Sequence, residues 1–160
     1  MMQVTLCYLL KENKILLGMK KRGFGEGRWN GFGGKTAEGE SIEDAAIREI
    51  KEEMSVMIDK KHLKKVATID FFFPFAPEGK KWDQQMHVFF ATKWKGEPEE
   101  TEEMKPQWFE ISKIPLEQMW ADDPYWLPLV LKGKKVKGEF TFGKDNCSVV
   151  DHKVEVKQKF

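Results

Sequence analysis

The sequence predicts a mixed α/β fold, a β-sheet packed between α-helices. Three observations carry that expectation. Short β-rich apolar runs alternate with polar turns along most of the chain. Two stretches, beginning near Ser41 and near Asp123, have helical spacing and helix-start residues. A sheet between two such helices is the economical way to bury both apolar stripes.

At 160 residues the chain is long enough to bury a core, and residues 1–160 read as one domain without repeat, linker or low-complexity tail. Hydrophobic residues at 41% and charged residues at 33% fit a soluble globular protein rather than a disordered one. A net charge of +1 argues against holding a nucleic-acid polymer by bulk electrostatics. A small anionic substrate stays open, because a metal can supply local positive charge. Cys7 and Cys147 fall in strand-like segments and read as free buried thiols of a reducing compartment. No signal-peptide pattern and no apolar run of ~20 residues is seen, so a cytoplasmic protein without membrane association is expected.

Gln3 to Leu10 reads as a strand, Glu12-Asn13-Lys14 as a turn and Lys14 to Met19 as the return. The basic cluster Lys20-Lys21-Arg22 follows, solvated or contacting a phosphate or base. Gly23 to Asn30 is a glycine-rich loop, either an ordinary turn or a phosphate cradle. Trp29 to Phe32 reads as a short strand ending at Gly33-Gly34. Leu63 to Phe73 and Gln84 to Trp94 form a hairpin around a Pro- and Gly-containing tip, the second strand being covered on both faces. Gly96 to Lys105 reads as an acidic loop and Gln107 to Ile111 as a short strand. Ile114 to Met119 is a brief helical turn, and Asp123-Pro124 reads as N-cap and first residue of a second helix interrupted by Pro128. Glu139 to Phe142 and Cys147 to Val156 form a terminal hairpin.

The most informative stretch is Gly34 to Val56. Ser41 is placed as an N-cap with Asp44 as its capping-box partner, and Ile47, Ile50 and Met54 make one apolar stripe. Glu49, Glu52 and Glu53 share the face roughly opposite. That face is either solvated or a divalent-cation site, since hard cations take oxygen ligands and would relieve the repulsion of clustered carboxylates. Arg48 is placed to orient one of them. Gly34, Glu40 and Arg48-Glu49-Ile50-Lys51-Glu52-Glu53, at these spacings, closely resemble the signature of the Nudix hydrolases.

Stretches outside that signature resemble the branch of the family that hydrolyses oxidised purine nucleoside triphosphates such as 8-oxo-dGTP and 2-hydroxy-dATP. They include Leu16 to Gly25, Gly27 to Lys35, Glu103-Met104, Trp108-Phe109, Met119-Trp120, Asp122-Asp123 and Tyr125-Trp126. The resemblance implies the Nudix fold and release of monophosphate and pyrophosphate. It implies Mg²⁺, or Mn²⁺ in its place, held by Glu49, Glu52, Glu53, Glu103 and the Gly33 backbone, the glutamates also being catalytic. It implies base recognition by Asn30, Asp122 and Asp123, stacking on Trp120, and a pocket lined by Thr5, Lys20, Phe24, Phe32, Gly33, Gly34, Lys35 and Phe71. A monomer acting on a small-molecule nucleotide is expected. Without the resemblance, Asp122-Asp123 reads as a turn and helix cap, and Trp120 as a core aromatic. Departures are Ser55 where the family has glycine, Ala121 where relatives have proline, and a longer connection from Phe75 to Asp83. The alternatives are a Nudix hydrolase of another modified nucleotide (a methylated dNTP, a dinucleotide polyphosphate or ADP-ribose) and a nucleotide-binding regulatory module without turnover.

Overall fold

A computed structural model describes residues 1–160. Strand β1 (Met2–Lys11) turns at Glu12-Asn13 into β2 (Lys14–Lys20), and β3 is the short pair Trp29–Asn30. Helix α1 spans Ile42–Met54, followed by β4 (Leu63–Phe72), β5 (Gln84–Ala91) and β6 (Met104–Glu110). Helix α2 (Asp123–Leu131) precedes β7 (Lys135–Phe142) and β8 (Val149–Lys157). The main sheet runs β1-β5-β4-β7-β8, parallel at β1/β5 and β4/β7 and antiparallel elsewhere. At its C-terminal end β1 passes to β2, which pairs with β3 and, along its whole length, with β6. This is the mixed sheet and two helices that the sequence predicts.

Alternation along the strands builds two cores. On β1, Val4, Leu6 and Tyr8 enter the larger core with α2 residues Trp126, Leu127 and Val130. Cys7 and Leu9 enter the other, against Ala46, Ile50 and Met54 of α1. Met86, Val88 and Phe90 of β5 likewise divide from Phe89 and Ala91, so this strand is covered on both faces as expected.

Several boundaries differ from the sequence expectation. β6 starts at Met104, inside the segment expected to be loop, and carries Pro106. It pairs only with β2, and an edge strand tolerates the missing N–H. α2 is capped one residue earlier: Asp122 is at the N-cap, Asp123 is the first helical residue, and neither makes a side-chain cap bond. β7 begins at Lys135, four residues before the Glu139 start expected from the sequence. Cys147 lies in the β7–β8 turn, half-buried, and only Cys7 is a buried strand thiol. The Ser41 hydroxyl accepts from Asp44 N–H at 3.1 Å, but Asp44 pairs with Lys60 at 3.0 Å rather than closing a capping box.

Candidate active site

Helix α1 brings its acidic residues to the edge of a cavity of about 540 Å³. Arg48 fixes them. Its guanidinium donates to both oxygens of Glu40 (2.8 and 2.9 Å), to Glu49 Oε1 (2.8 Å), to Glu52 Oε2 (3.3 Å) and to the Lys35 carbonyl (3.0 Å). Those bonds, with the Ala37 N–H, hold the Glu40 carboxyl down at about 2. One arginine therefore ties the loop before α1 to the acidic face.

The three glutamates of that face are not equivalent. Glu53 is buried, and Oε1 has no hydrogen-bond partner. Burial first, then the neighbouring charges of Glu49 and Glu103, push its pKa up to about 8, against an N–H bond from Gly33. Glu49 is half-buried beside Gly34, where an added Cβ would stand 2.7 Å from its carboxylate. Glu52 is exposed and does not line the cavity. Glu52 stays on the same helix face as Glu49, the two carboxylates sharing Arg48, but turns its side chain to solvent. Glu103 lines the cavity from the start of β6, exposed and 3.9 Å from Arg22.

At Gly33 a Cβ would lie 1.8 Å from the Thr5 carbonyl oxygen, so only glycine lets this backbone run against β1. The loop thereby places Gly33, Gly34 and Lys35 on the cavity wall beside Thr5 and Asn30. Phe32 alternates to the opposite side and is fully buried in the α1 core, so the predicted pocket role of its ring is not met. Of the basic cluster only Lys20 lines the cavity; Lys21 pairs with Glu100, and Arg22 lies near Glu102 and Glu103. The glycine-rich loop is an ordinary turn: its N–H groups at Glu26, Gly27 and Arg28 bond to loop carbonyls of Gly23, Lys20 and Gly25.

The far end of the cavity is aromatic and acidic. Phe24, Phe71 and Trp120 line it as expected, with Asp122 and Asp123. Both aspartates are buried. Trp126 Nε1–H donates to Asp122 Oδ2 at 2.8 Å, while Asp123 Oδ2 has no partner. Burial raises both pKa values, and the Asp122 charge raises Asp123 further, so the pair favours one neutral and one ionised carboxyl. Residues that sequence reasoning did not place here are Phe73, Phe142, Met86 and Arg28, whose guanidinium sits 4.4 Å from the Trp120 ring centre. Trp82 and Gln84 line the cavity as well, whereas Gln85 bonds Asp70.

No three acidic, histidine or cysteine side chains are gathered into a closed ion cage in this arrangement. The donor chemistry nevertheless fits a hard divalent cation. Glu53 presents an unpartnered buried oxygen, and Glu49 fills the space that Gly34 leaves free.

The fold, the acidic helix and its cavity define a NUDIX domain, which matches residues 2–130; the chain belongs to that family. Two relatives are oxidized purine nucleoside triphosphate hydrolases. That of Danio rerio is 48% identical over 152 residues, covering 95% of this chain and 93% of the relative. That of Mus musculus is 51% identical over 138 residues, covering 86% and 85%. Among solved structures, a MutT protein from Bacillus halodurans superposes with a TM-score of 0.81 at 26% identity, covering 97% of this chain and 98% of that one. No helix is long and apolar enough to cross a membrane.

Proposed function

We propose that this chain hydrolyses oxidised purine nucleoside triphosphates, 8-oxo-dGTP and 2-hydroxy-dATP among them, to the monophosphate and pyrophosphate. It thereby clears damaged nucleotides from the cytoplasmic pool. The observation that carries the reading is the polarity of one cavity. A ring and two buried carboxyls stand at one end, and glutamates with a lysine stand at the other.

The base end suits an oxidised purine. Oxidation changes which edge atoms of the base donate and which accept. A carboxyl pair sharing one proton offers a donor and an acceptor side by side. Asn30 adds an amide on the same wall, and Trp120 offers a face for stacking. The phosphate end suits a polyphosphate. Lys20 supplies a charge, and Glu49, Glu53, Glu103 and the Gly33 carbonyl would hold Mg²⁺ or Mn²⁺. A bound cation would neutralise phosphate charge and favour the ionised form of Glu53. One carboxylate of this set takes the proton from the attacking water as the water oxygen bonds to phosphorus and the bridging P–O bond breaks, leaving monophosphate and pyrophosphate. Arg48 keeps Glu49 in place while this happens. Glu52, outside the cavity, serves the site through Arg48. The working unit is a single chain, residues 1–160.

A turnover screen of oxidised against normal dNTPs with Mg²⁺, reading pyrophosphate release, tests this. The expected result is higher kcat/KM for the oxidised purines. Equal rates on oxidised and normal nucleotides would remove the substrate assignment, and no turnover on any would remove the reaction.

A further inference from the structure

Trp120 stands outside any regular element. It lies between the turn Leu116–Gln118 and α2, half-buried, so the direction of its indole depends on what the ring touches. Gly25 abuts it, where an added Cβ would stand 3.3 Å from Cζ2, and Phe142 meets it edge-on with ring centres 6.3 Å apart. Arg28 lies over the ring, its guanidinium carbon 4.4 Å from the centre. A long charged side chain stays in such a place only if its head is held, because water and rotamer freedom both compete for it.

What holds it is not a carboxylate. Arg28 enters none of the chain's ion pairs. Its Nη2 donates instead to Cys147 Sγ at 2.6 Å. The turn that carries this sulfur is fixed by Asp145. Oδ1 accepts the N–H groups of Cys147 and Ser148 at 3.0 and 2.8 Å, and Oδ2 accepts the Ser148 hydroxyl at 2.5 Å. The Asp145 carboxylate is thereby committed to the turn, and Arg28 is left to the thiol. On the other side of the contact the Arg28 backbone is also tied: its N–H bonds the Gly25 carbonyl at 3.1 Å, and its carbonyl accepts from Lys20 N–H at 3.3 Å.

We propose that Cys147 is a positioning residue for base recognition: its sulfur anchors Arg28 over Trp120, and through Arg28 the β7–β8 turn sets the direction of the indole on which the base stacks. This rests on the reading of Trp120 as the base platform. Cys147 does not line the cavity, whereas Arg28 and Trp120 do, so the cysteine acts through the arginine and not on the substrate. A loosened indole must be ordered again when a base arrives, which weakens binding. The acidic helix is not part of this chain of contacts, so the phosphate chemistry is spared.

The test reads the ring and the reaction separately. In a proton–nitrogen correlation spectrum the Trp120 indole N–H is identified by its loss in Trp120→Phe. Cys147→Ala is expected to shift or broaden that signal, and Cys147→Ser, which keeps a shorter acceptor, to restore most of it. Kinetics are measured on whichever nucleoside triphosphate the unmodified protein turns over best, with Tm as a check on folding. Cys147→Ala should raise KM about threefold, with kcat within about twofold and Tm within a few degrees, and Cys147→Ser should recover most of the loss. Arg28→Met should raise KM further, about tenfold, and adding Cys147→Ala to it should cost nothing more. A Trp120 signal unmoved in Cys147→Ala, or a full extra loss when that change is added to Arg28→Met, would overturn the proposal. A moved signal with KM unchanged would uphold the anchoring and remove Trp120 as the base platform.

Discussion

At the residue scale the site depends on the half-buried Arg48. Its five donors are shared among Glu40, Glu49, Glu52 and the Lys35 carbonyl, a fork that a single ammonium cannot reproduce. Arg48→Lys keeps the charge but should lose about 10–100-fold in kcat/KM, as is typical when the groups orienting a functional carboxylate are removed. Tm should fall by only a few degrees, since the lysine keeps a charge beside these half-buried carboxylates. Steady-state kinetics and a thermal melt on one preparation check both halves; normal kinetics would mean Glu49 does not need the clamp. The sequence showed Arg48 beside Glu49 and so predicted a pairing. It did not show that Glu53 is buried and Glu52 exposed, because three glutamates on one helical stripe look alike until the neighbouring loop is packed over one of them.

At the element scale, α1 closes on a residue poorly suited to its conformation. Ser55 has φ 61° and ψ 30°, and its N–H reaches the Lys51 carbonyl at 2.9 Å. This is the position where the family has glycine, the residue that takes a left-handed conformation without penalty. Ser55→Gly should stabilise the protein by on the order of 0.5–1 kcal/mol, the left-handed penalty less the added freedom of the unfolded chain. That corresponds to roughly 1–4 °C in Tm for a domain of this size; a lower Tm would mean Ser55 makes compensating contacts. A second element-scale feature was not legible at all. His87 of β5 accepts from Lys65 of β4 through Nδ1 (2.9 Å) and donates to Gln3 of β1 through Nε2 (2.6 Å), with Glu43 and Asp70 facing the same group. Only the pairing of β5 with β1 and β4 brings these partners together. Burial, then the Lys65 charge, lowers the imidazole from its ordinary 6.5 to about 4. The folded state therefore stays neutral where the unfolded state takes up a proton, and stability falls as pH drops from 6.5 toward 4. His87→Gln should flatten Tm against pH in that window; an unchanged slope would assign acid sensitivity to other groups.

At the scale of the whole molecule, the cavity joins parts of the chain that are distant in sequence. Its acidic end comes from α1 and the loop before it, which one signature made readable. Its aromatic end comes from β1, β4, β5, β7 and the segment before α2, and was visible only as isolated aromatics and an aspartate pair. Arg28, Phe73 and Phe142 carry no local signal, because their place depends on which strands become neighbours. This division makes the two ends separable by experiment. A nucleoside monophosphate lacks the polyphosphate and reports on the base end alone, without turnover. At about 100 times its Kd a ligand adds roughly 2.7 kcal/mol to the folded state. For a chain of this length that is a rise of about 5–11 °C in Tm. The monophosphate 8-oxo-dGMP should produce such a shift in chelator-treated protein, and dGMP at equal concentration a clearly smaller one. In Asp123→Asn the proton that the pair shares is lost to a fixed amide, so the gap between the two nucleotides should narrow. Equal shifts from both nucleotides in the unmodified protein would mean that the buried aspartates do not read the oxidised edge, while leaving the acidic helix and its chemistry untouched.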